Sequence, residues 1–471
     1  MKDRSKVVRF SALLVFLALG ATAGVVMNLN ACSGSSSGSS QVKGIQHIVI
    51  IVQENRTPDN LFQDSVLISR GADIAQSGLN SSGQTIPLAR GDLAINWDLS
   101  HAHSAFEAMY DGGKMDGANL IPTTCTGVPN CQLPSAVNPQ YMYINPSEVQ
   151  PYFQLAEQYT FGDRMFQTNE GPSFPAHQFL FGGTSAPTAT SNLFAAENVS
   201  PGTGAGCIAP PGNIVKLINP QGVESASQYP CFERQTLADL LGANSVSWRY
   251  YAPSASFIWT APDAIKHICQ PQTQNGTLVC TGNEWSNVTI PQTGVLSDIA
   301  NHQLAQVSWV VPTGADSDHA GTNNGSGPSW VASIVNAIGN SSYWKNTAII
   351  ITWDDWGGWY DHVPPPQVLV NCAQWGCGYV YGFRVPLIVV SPYAKTKYIS
   401  HVNHDFGSIL NFVEKTFDLP SLGYADAATS DDLFDCFDLQ QSPVPFQTIA
   451  APLNADYFLH DPTPPTDPDD D

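Results

Sequence analysis

The sequence predicts an α/β fold, with a mostly parallel central sheet flanked by helices. Three observations predict it. GIQHIVIIVQ (44–53) and NTAIIITW (346–353) are apolar, β-branched runs without polar alternation, the pattern of strands buried on both faces. Strand, helix and strand follow one another over 306–353, a crossover that implies parallel pairing. Strand-like and helix-like segments alternate throughout, with no internal repeat and no linker between 41 and 455.

The elements follow in order. After the strand at 44–53, SEVQPYFQLAEQY (147–159) has helical spacing, and RQTLADLLGAN (234–244) reads as a helix stopped by Gly242. VSWRYYAP (246–253), QVSWVVP (306–312), NTAIIITW (346–353) and VPLIVVS (385–391) read as strands. SWVASIVNAIGN (329–340) is a helix from a Ser cap to Gly339, and DFGSILNFVEKTF (405–417) is another. The Gly/Pro-rich stretches 66–145 and 184–230 exceed ordinary connections and are expected to be long capping loops, functional or pinned by disulfides.

Composition narrows the function. The 471 residues include 19 Lys+Arg against 40 Asp+Glu, a formal charge of −21, and only 13% are charged. That excludes a charge-laced or disordered chain. It argues against nucleic acid as a partner, because neutralising phosphates needs a basic surface. No protein partner is evident from the sequence.

The N-terminus reads as an export signal. Lys2, Arg4, Lys6 and Arg9 precede the uncharged run 10–31, followed by Cys32 and a Ser/Gly stretch. Residues 1–31 are expected to be a signal peptide and 32–43 a flexible tether, with Cys32 a possible lipid anchor in a lipobox-like setting. The product would be periplasmic, anchored to the outer membrane as a lipoprotein, or secreted. Four basic residues and one acid leave with 1–31, which takes the charge to −24. Residues 44–455 are expected to form one catalytic domain and 456–471 an acidic Pro/Asp-rich tail, of which HDPTPPTDPDDD (460–471) is expected to be solvated. Eight of the ten cysteines fall into local couples: 125 with 131, 207 with 231, 269 with 280 and 372 with 377; Cys436 stands alone.

Two strands end in oxygen donors. Glu54 and Asn55 close the first, and Asp354 and Asp355 close the strand 346–353. Ligands of open α/β sheets bind beyond the carboxyl ends of strands, and adjacent carboxylates repel unless a cation separates them. Oxygen donors suit Mg, Ca or Mn, and such a set also admits Zn or Fe, so a divalent metal ion is expected. Gly357 and Gly358 would let the backbone approach a ligand. Trp356, Trp359 and Tyr360 offer a wall for a pocket. Ser173, in EGPSFPAH, is a candidate nucleophile at a helix start or a simple N-cap. His101, His103, His319 and His404 lie in polar loops, and His319 stands out because it too follows a strand end. Lys114 is one of few basic residues.

These segments together resemble the bacterial phosphoesterase family of non-haemolytic phospholipases C and acid phosphatases. ENRTPDNLF, DLSHAHSAFEAMYDGGKMDG, EGPSFPAH, SDHAG and ITWDDWGGWYDHVPPP match its elements in order, over roughly 44 to 440. The resemblance implies an alkaline-phosphatase-like fold. It implies metal ligation by Glu54, Asn55, Asp354, Asp355 and Ser173, with Ser173 as nucleophile. His101 and His319 would contact the phosphate or leaving group, and His362 would be catalytic or orient a ligand. The substrate would be a phosphorylated small molecule or a phospholipid headgroup: phospholipase C first, acid phosphomonoesterase second; Trp353, Trp356 and Trp359 would then offer a wall for a choline headgroup, or serve core packing. Two departures stand out: PAH where PNR is usual, which removes an arginine, and DD in place of DE. No C-x-P-x-R motif is present, which disfavours a sulfatase. The rival of another class is a cell-surface binding protein that kept the fold and lost the chemistry.

Overall fold

The computed structural model describes residues 44–465 apart from 126, 127, 129, 367–374, 376, 377 and 430, and these belong to one compact unit. The apolar runs become the centre of a nine-stranded sheet. Its strands are β1 (His47–Gln53), β2 (Thr160–Phe166), β3 (Trp248–Tyr251), β4 (Val288–Thr289), β5 (Val307–Val310), β6 (Thr347–Trp353), β7 (Arg384–Val390), β8 (Tyr398–Ser400) and β9 (His404–Asp405). The order is β4-β3-β5-β1-β6-β7-β2-β8, with β9 also on β2.

The mostly parallel sheet is as expected. β5 and β6 are both parallel to β1, which lies between them, so the crossover at 306–353 passes over one strand. β7 alone runs antiparallel to its neighbours, β6 and β2. β2 was not predicted: TFGDRMF carries a glycine and two charges inside its run. Asp163 is nonetheless buried there, with its carboxylate accepting from Asp73 N and paired with His401. Every residue of β6 and β7 is buried. Burying each Ile or Val there contributes about 1.5–3 kcal/mol before chain entropy is counted.

Helices cover the sheet in two groups. α2 (Gln150–Gln158) packs on β2 and β7 and touches α6 (Gly327–Gly339), which touches α5 (Gly294–Ala300). α3 (Ser173–Gly182) packs on α4 (Leu237–Ala243) and α7 (Phe406–Phe417). α6 begins two residues before the expected Ser329 cap, with Pro328 in its first turn. Ser329 Oγ instead accepts a hydrogen bond from Leu453 N.

The capping loops carry small sheets and a second core of their own. Trp97, Phe106, Met109, Trp356, Trp359 and Phe383 pack together there, around α1 (His103–Tyr110). Three expected disulfides are formed: Cys125–Cys131, Cys207–Cys231 and Cys269–Cys280. The fourth couple, Cys372 and Cys377, the N-terminal segment and Cys32 lie outside the described residues.

The segment 456–471 opens on an ordered turn of helix. Ala455–His460 is a short helix, and Phe458 is buried with its ring 5.3 Å from Trp330 of α6. An apolar residue that can reach the core binds the chain down despite its acidic surroundings. Residues 466–471 lie outside the described part.

Candidate active site

Parallel register creates the site. β1 and β6 are paired Gln53 to Trp353, so the next residues, Glu54 and Asp354, are neighbours. Asp354 Oδ1 accepts the backbone N–H groups of Asn55 (3.0 Å) and Asp355 (2.7 Å). Its other oxygen, Oδ2, is buried and makes no hydrogen bond. Asp355 is anchored in the same way, with Oδ1 accepting Gly357 N at 2.7 Å, while Oδ2 accepts the Ser173 hydroxyl at 3.2 Å. Each adjacent carboxylate thus spends one oxygen on the turn and turns the other towards the site.

Ser173 is the first residue of α3, and its hydroxyl does not cap the helix. The free N–H of Phe174 is satisfied by Asn198 Oδ1 at 2.8 Å instead. The preceding turn is braced by Gln167, whose amide donates to Asn169 O and Gly171 O and accepts from Trp356 N. That last bond ties the serine loop to the Asp354–Asp355 loop.

Asn55 has a left-handed backbone, φ 62°, which asparagine tolerates better than most residues. Gly357, at φ 63°, fits against it: a Cβ there would lie 2.5 Å from Asn55 O. Gly358 approaches Leu99 and Ser100 in the same way. The two glycines therefore admit the protein's own loops. The Asn55 side chain is oriented by His101, whose Nδ1–H donates to Leu99 O (2.9 Å), leaving Nε2 to accept from Asn55 Nδ2 (3.2 Å). Asn55 Oδ1 remains buried without a hydrogen bond.

His319 lies beside His101, with ring centroids 5.6 Å apart. Its Nδ1–H donates to Ala320 O (2.7 Å), and Asp98 Oδ2 stands 3.7 Å from the same nitrogen. Asp318 fixes the loop: its buried carboxylate accepts from Tyr152 OH and Trp353 Nε1, and burial pushes its pKa up to about 6.

One residue of the site was not predicted to have a role. His177 lies four residues after Ser173 in α3, on the same helix face. Its Nε2 is 3.2 Å from Glu54 Oε1 and 3.6 Å from Asp354 Oδ2, and all three residues are fully buried. Burial holds the imidazole down at about 4 despite Asp354, so it is neutral. The i, i+4 spacing from Ser173 was the available signal.

Other expected residues lie elsewhere. His362 Nδ1 is 2.7 Å from Asp59 Oδ2, and its Nε2 is 3.1 Å from Asp73 Oδ1, beside the buried Arg384. None of its bonds reaches Ser173, Glu54 or Asp354. His103 donates to Glu170 O, and Lys114 pairs with Asp111 at the surface. Trp356 and Trp359 belong to the loop core, and Trp353 donates to Asp318. His404, Asp431 and Cys436 mimic a thiol triad, with the thiol 3.9 Å and Asp431 2.6 Å from the ring. Cys436 is fully buried, which pushes its thiol pKa up and leaves it inert. The surface hollow between Ile68, Leu88 and Tyr143 contains none of the site residues.

An α/β fold that gathers a carboxylate-bound serine, paired carboxylates and histidines at the ends of parallel strands defines a class of hydrolytic site. The chain belongs to the Phosphoesterase family, whose profile matches residues 45–420. It is 24% identical over 451 residues to the hemolytic phospholipase C of Pseudomonas aeruginosa, covering 85% of this chain and 56% of that protein. It is 26% identical over 484 residues to phospholipase C B of Mycobacterium tuberculosis, covering 91% and 85% respectively. The chain thus spans little more than half the length of the Pseudomonas relative. A solved protein of the alkaline phosphatase superfamily from Vibrio parahaemolyticus aligns over 83% of this chain and 71% of its own, at 11% identity and a TM-score of 0.34.

Proposed function

We propose that the chain is an exported, metal-dependent phosphoric-ester hydrolase in which Ser173 is the nucleophile. The observation that carries this reading is the Ser173–Asp355 hydrogen bond beside Asp354 Oδ2 and Asn55 Oδ1. Two buried oxygens without hydrogen bonds are costly unless something positive meets them. Hard oxygen donors suit a divalent cation, so Glu54, Asn55, Asp354, Asp355 and Ser173 would hold it. When bound, the cation would draw charge from the phosphoryl oxygens and favour the serine alkoxide.

The chain's own groups supply the rest. Ser173 Oγ, oriented by Asp355 Oδ2, attacks phosphorus and releases its proton to solvent. The bond from phosphorus to the leaving oxygen breaks, and protonated His319, held by Ala320 O and supported by Asp98, donates a proton to that oxygen. In the second half His319 takes a proton from water as that water attacks phosphorus, the bond from phosphorus to Ser173 Oγ breaks, and Oγ regains a proton from solvent. His101 acts as a positioning residue, because its Nε2 holds the Asn55 amide. Fixed geometry and charge neutralisation account for most of the rate in such transfers.

The names of the relatives support phospholipase C chemistry on phosphatidylcholine-like diesters. One observation favours phosphomonoesters instead: Trp353, Trp356 and Trp359 are taken up by buried contacts, which removes them as a cage for choline. A panel of p-nitrophenyl phosphate, p-nitrophenyl phosphorylcholine and phosphatidylcholine vesicles, assayed with metal-loaded protein, separates the two. Turnover of the last two substrates supports the phospholipase; turnover of the first alone supports the monoesterase. A protein inert on all three would be a binding protein. Export and anchoring through Cys32 predict palmitate labelling of the full chain in a bacterial host, lost in Cys32→Ser.

A further inference from the structure

The geometry points to His177 Nε2 as a further ligand of the proposed cation. The site would then be a mixed nitrogen–oxygen site that prefers a first-row transition ion to Mg2+ or Ca2+. This inference rests on the metal reading of Glu54 and Asp354 given above. Ligand atoms at about 2.1 Å from one ion lie about 3.0–3.4 Å from each other for angles between a right angle and the tetrahedral one. The observed separations from His177 Nε2 are 3.2 Å to Glu54 and 3.6 Å to Asp354. The donor atoms of these three residues all fall within 4.8 Å of one another.

The imidazole is also held in place. It sits within α3, is fully buried, and lies nearly parallel to the Trp259 ring, with centroids 6.3 Å apart at 21°. Asp354 Oδ2 faces it without a hydrogen bond. The pattern this segment resembles has an arginine here, a fixed positive charge beside the carboxylates. An imidazole at this position turns a ring nitrogen towards Glu54 and Asp354 instead. Imidazole suits Zn, Fe, Mn and similar ions, whereas Mg2+ and Ca2+ take oxygen ligands.

The test reads the metal and leaves turnover aside. Stripped full-length protein is loaded with Mn2+ and examined by pulsed electron paramagnetic resonance. Wild type is expected to show coupling to a histidine nitrogen, and His177→Gln is expected to lose it. Chelator competition should show wild type preferring Zn2+ to Mg2+. His177→Gln should bind Zn2+ about 10–100-fold more weakly, with Mg2+ changed less than about threefold. Coupling that persists in a folded His177→Gln overturns the inference, as does wild type without nitrogen coupling, which would mean that His177 only donates to Glu54. If the variant does not fold, histidine-15N labelling of wild type and its Zn2+/Mg2+ preference decide. A protein inert on every ester that still shows the His177 coupling refutes the hydrolase reading alone. An active, Ser173-dependent enzyme without that coupling refutes this inference alone.

Discussion

Two buried carboxylate clusters lie near the carboxyl ends of the central strands, and they are solved in opposite ways. In one, Asp59 and Asp361 surround Arg384, whose Nε and Nη2 bond Asp361 at 2.9 Å each, with Asp59 at 3.3 Å from Nη2. His362 bridges Asp59 and Asp73 and completes the charge balance. In the other, Asp354 meets a neutral imidazole, and no arginine or lysine among the described residues pairs with it. Acidity alone therefore does not mark a cation site. The first cluster carries its own cations and holds loops together; the second leaves Asp354 Oδ2 buried without a hydrogen bond, where the proposed ion would be held.

The comparison can be broken from either side. Ser173→Ala should lower kcat on phosphate esters by on the order of 10⁴-fold with unchanged folding, as measured by steady-state kinetics and circular dichroism. Unchanged turnover would mean that another group attacks. Arg384→Met should do the reverse. It leaves Asp361 and Asp59 buried without their partner and should cost about 3–5 kcal/mol of unfolding free energy in urea. A loss below 1 kcal/mol would show that the network is not what holds these loops. Asp354→Asn should weaken metal binding about 100-fold by chelator competition, while Asp59→Asn should leave it within a few fold. Equal effects would erase the distinction between the clusters.

The smallest effect concerns pH. Burial lowers the His362 pKa, but the Asp59 hydrogen bond and the charges of Asp59 and Asp361 outweigh it and hold the group at about 9. Because the folded value is raised, its contribution is complete below about pH 6.5 and is lost as pH rises through about 9. Stability should therefore fall over that window by about 1–3 kcal/mol, and His362→Gln should flatten the profile. A slope equally steep in the variant would locate the titration elsewhere.

Much of this was legible in the sequence. Continuous apolar runs marked β1 and β6, and a strand that ends in Glu-Asn or Asp-Asp announces where its oxygens go. The hydrophobic pattern carries no strand direction, so the reversal of β7 was invisible. Nor does it carry register, so the pairing that makes Glu54 and Asp354 neighbours emerges only in the fold. His362 sat in the most recognisable motif, yet its bonds serve Asp59 and Asp73. His177 was visible only as a departure from a motif, although its helical spacing from Ser173 pointed to the same face.

The most direct test of the central claim is metal reconstitution. Protein stripped of metal is titrated with a divalent ion while p-nitrophenyl phosphate and p-nitrophenyl phosphorylcholine hydrolysis is followed, for wild type and Asp354→Asn in parallel. The account predicts that activity is lost on stripping and returns in wild type as ion binds, with no comparable return in Asp354→Asn. Full activity in the stripped wild-type protein, or equal recovery in the variant, would contradict it.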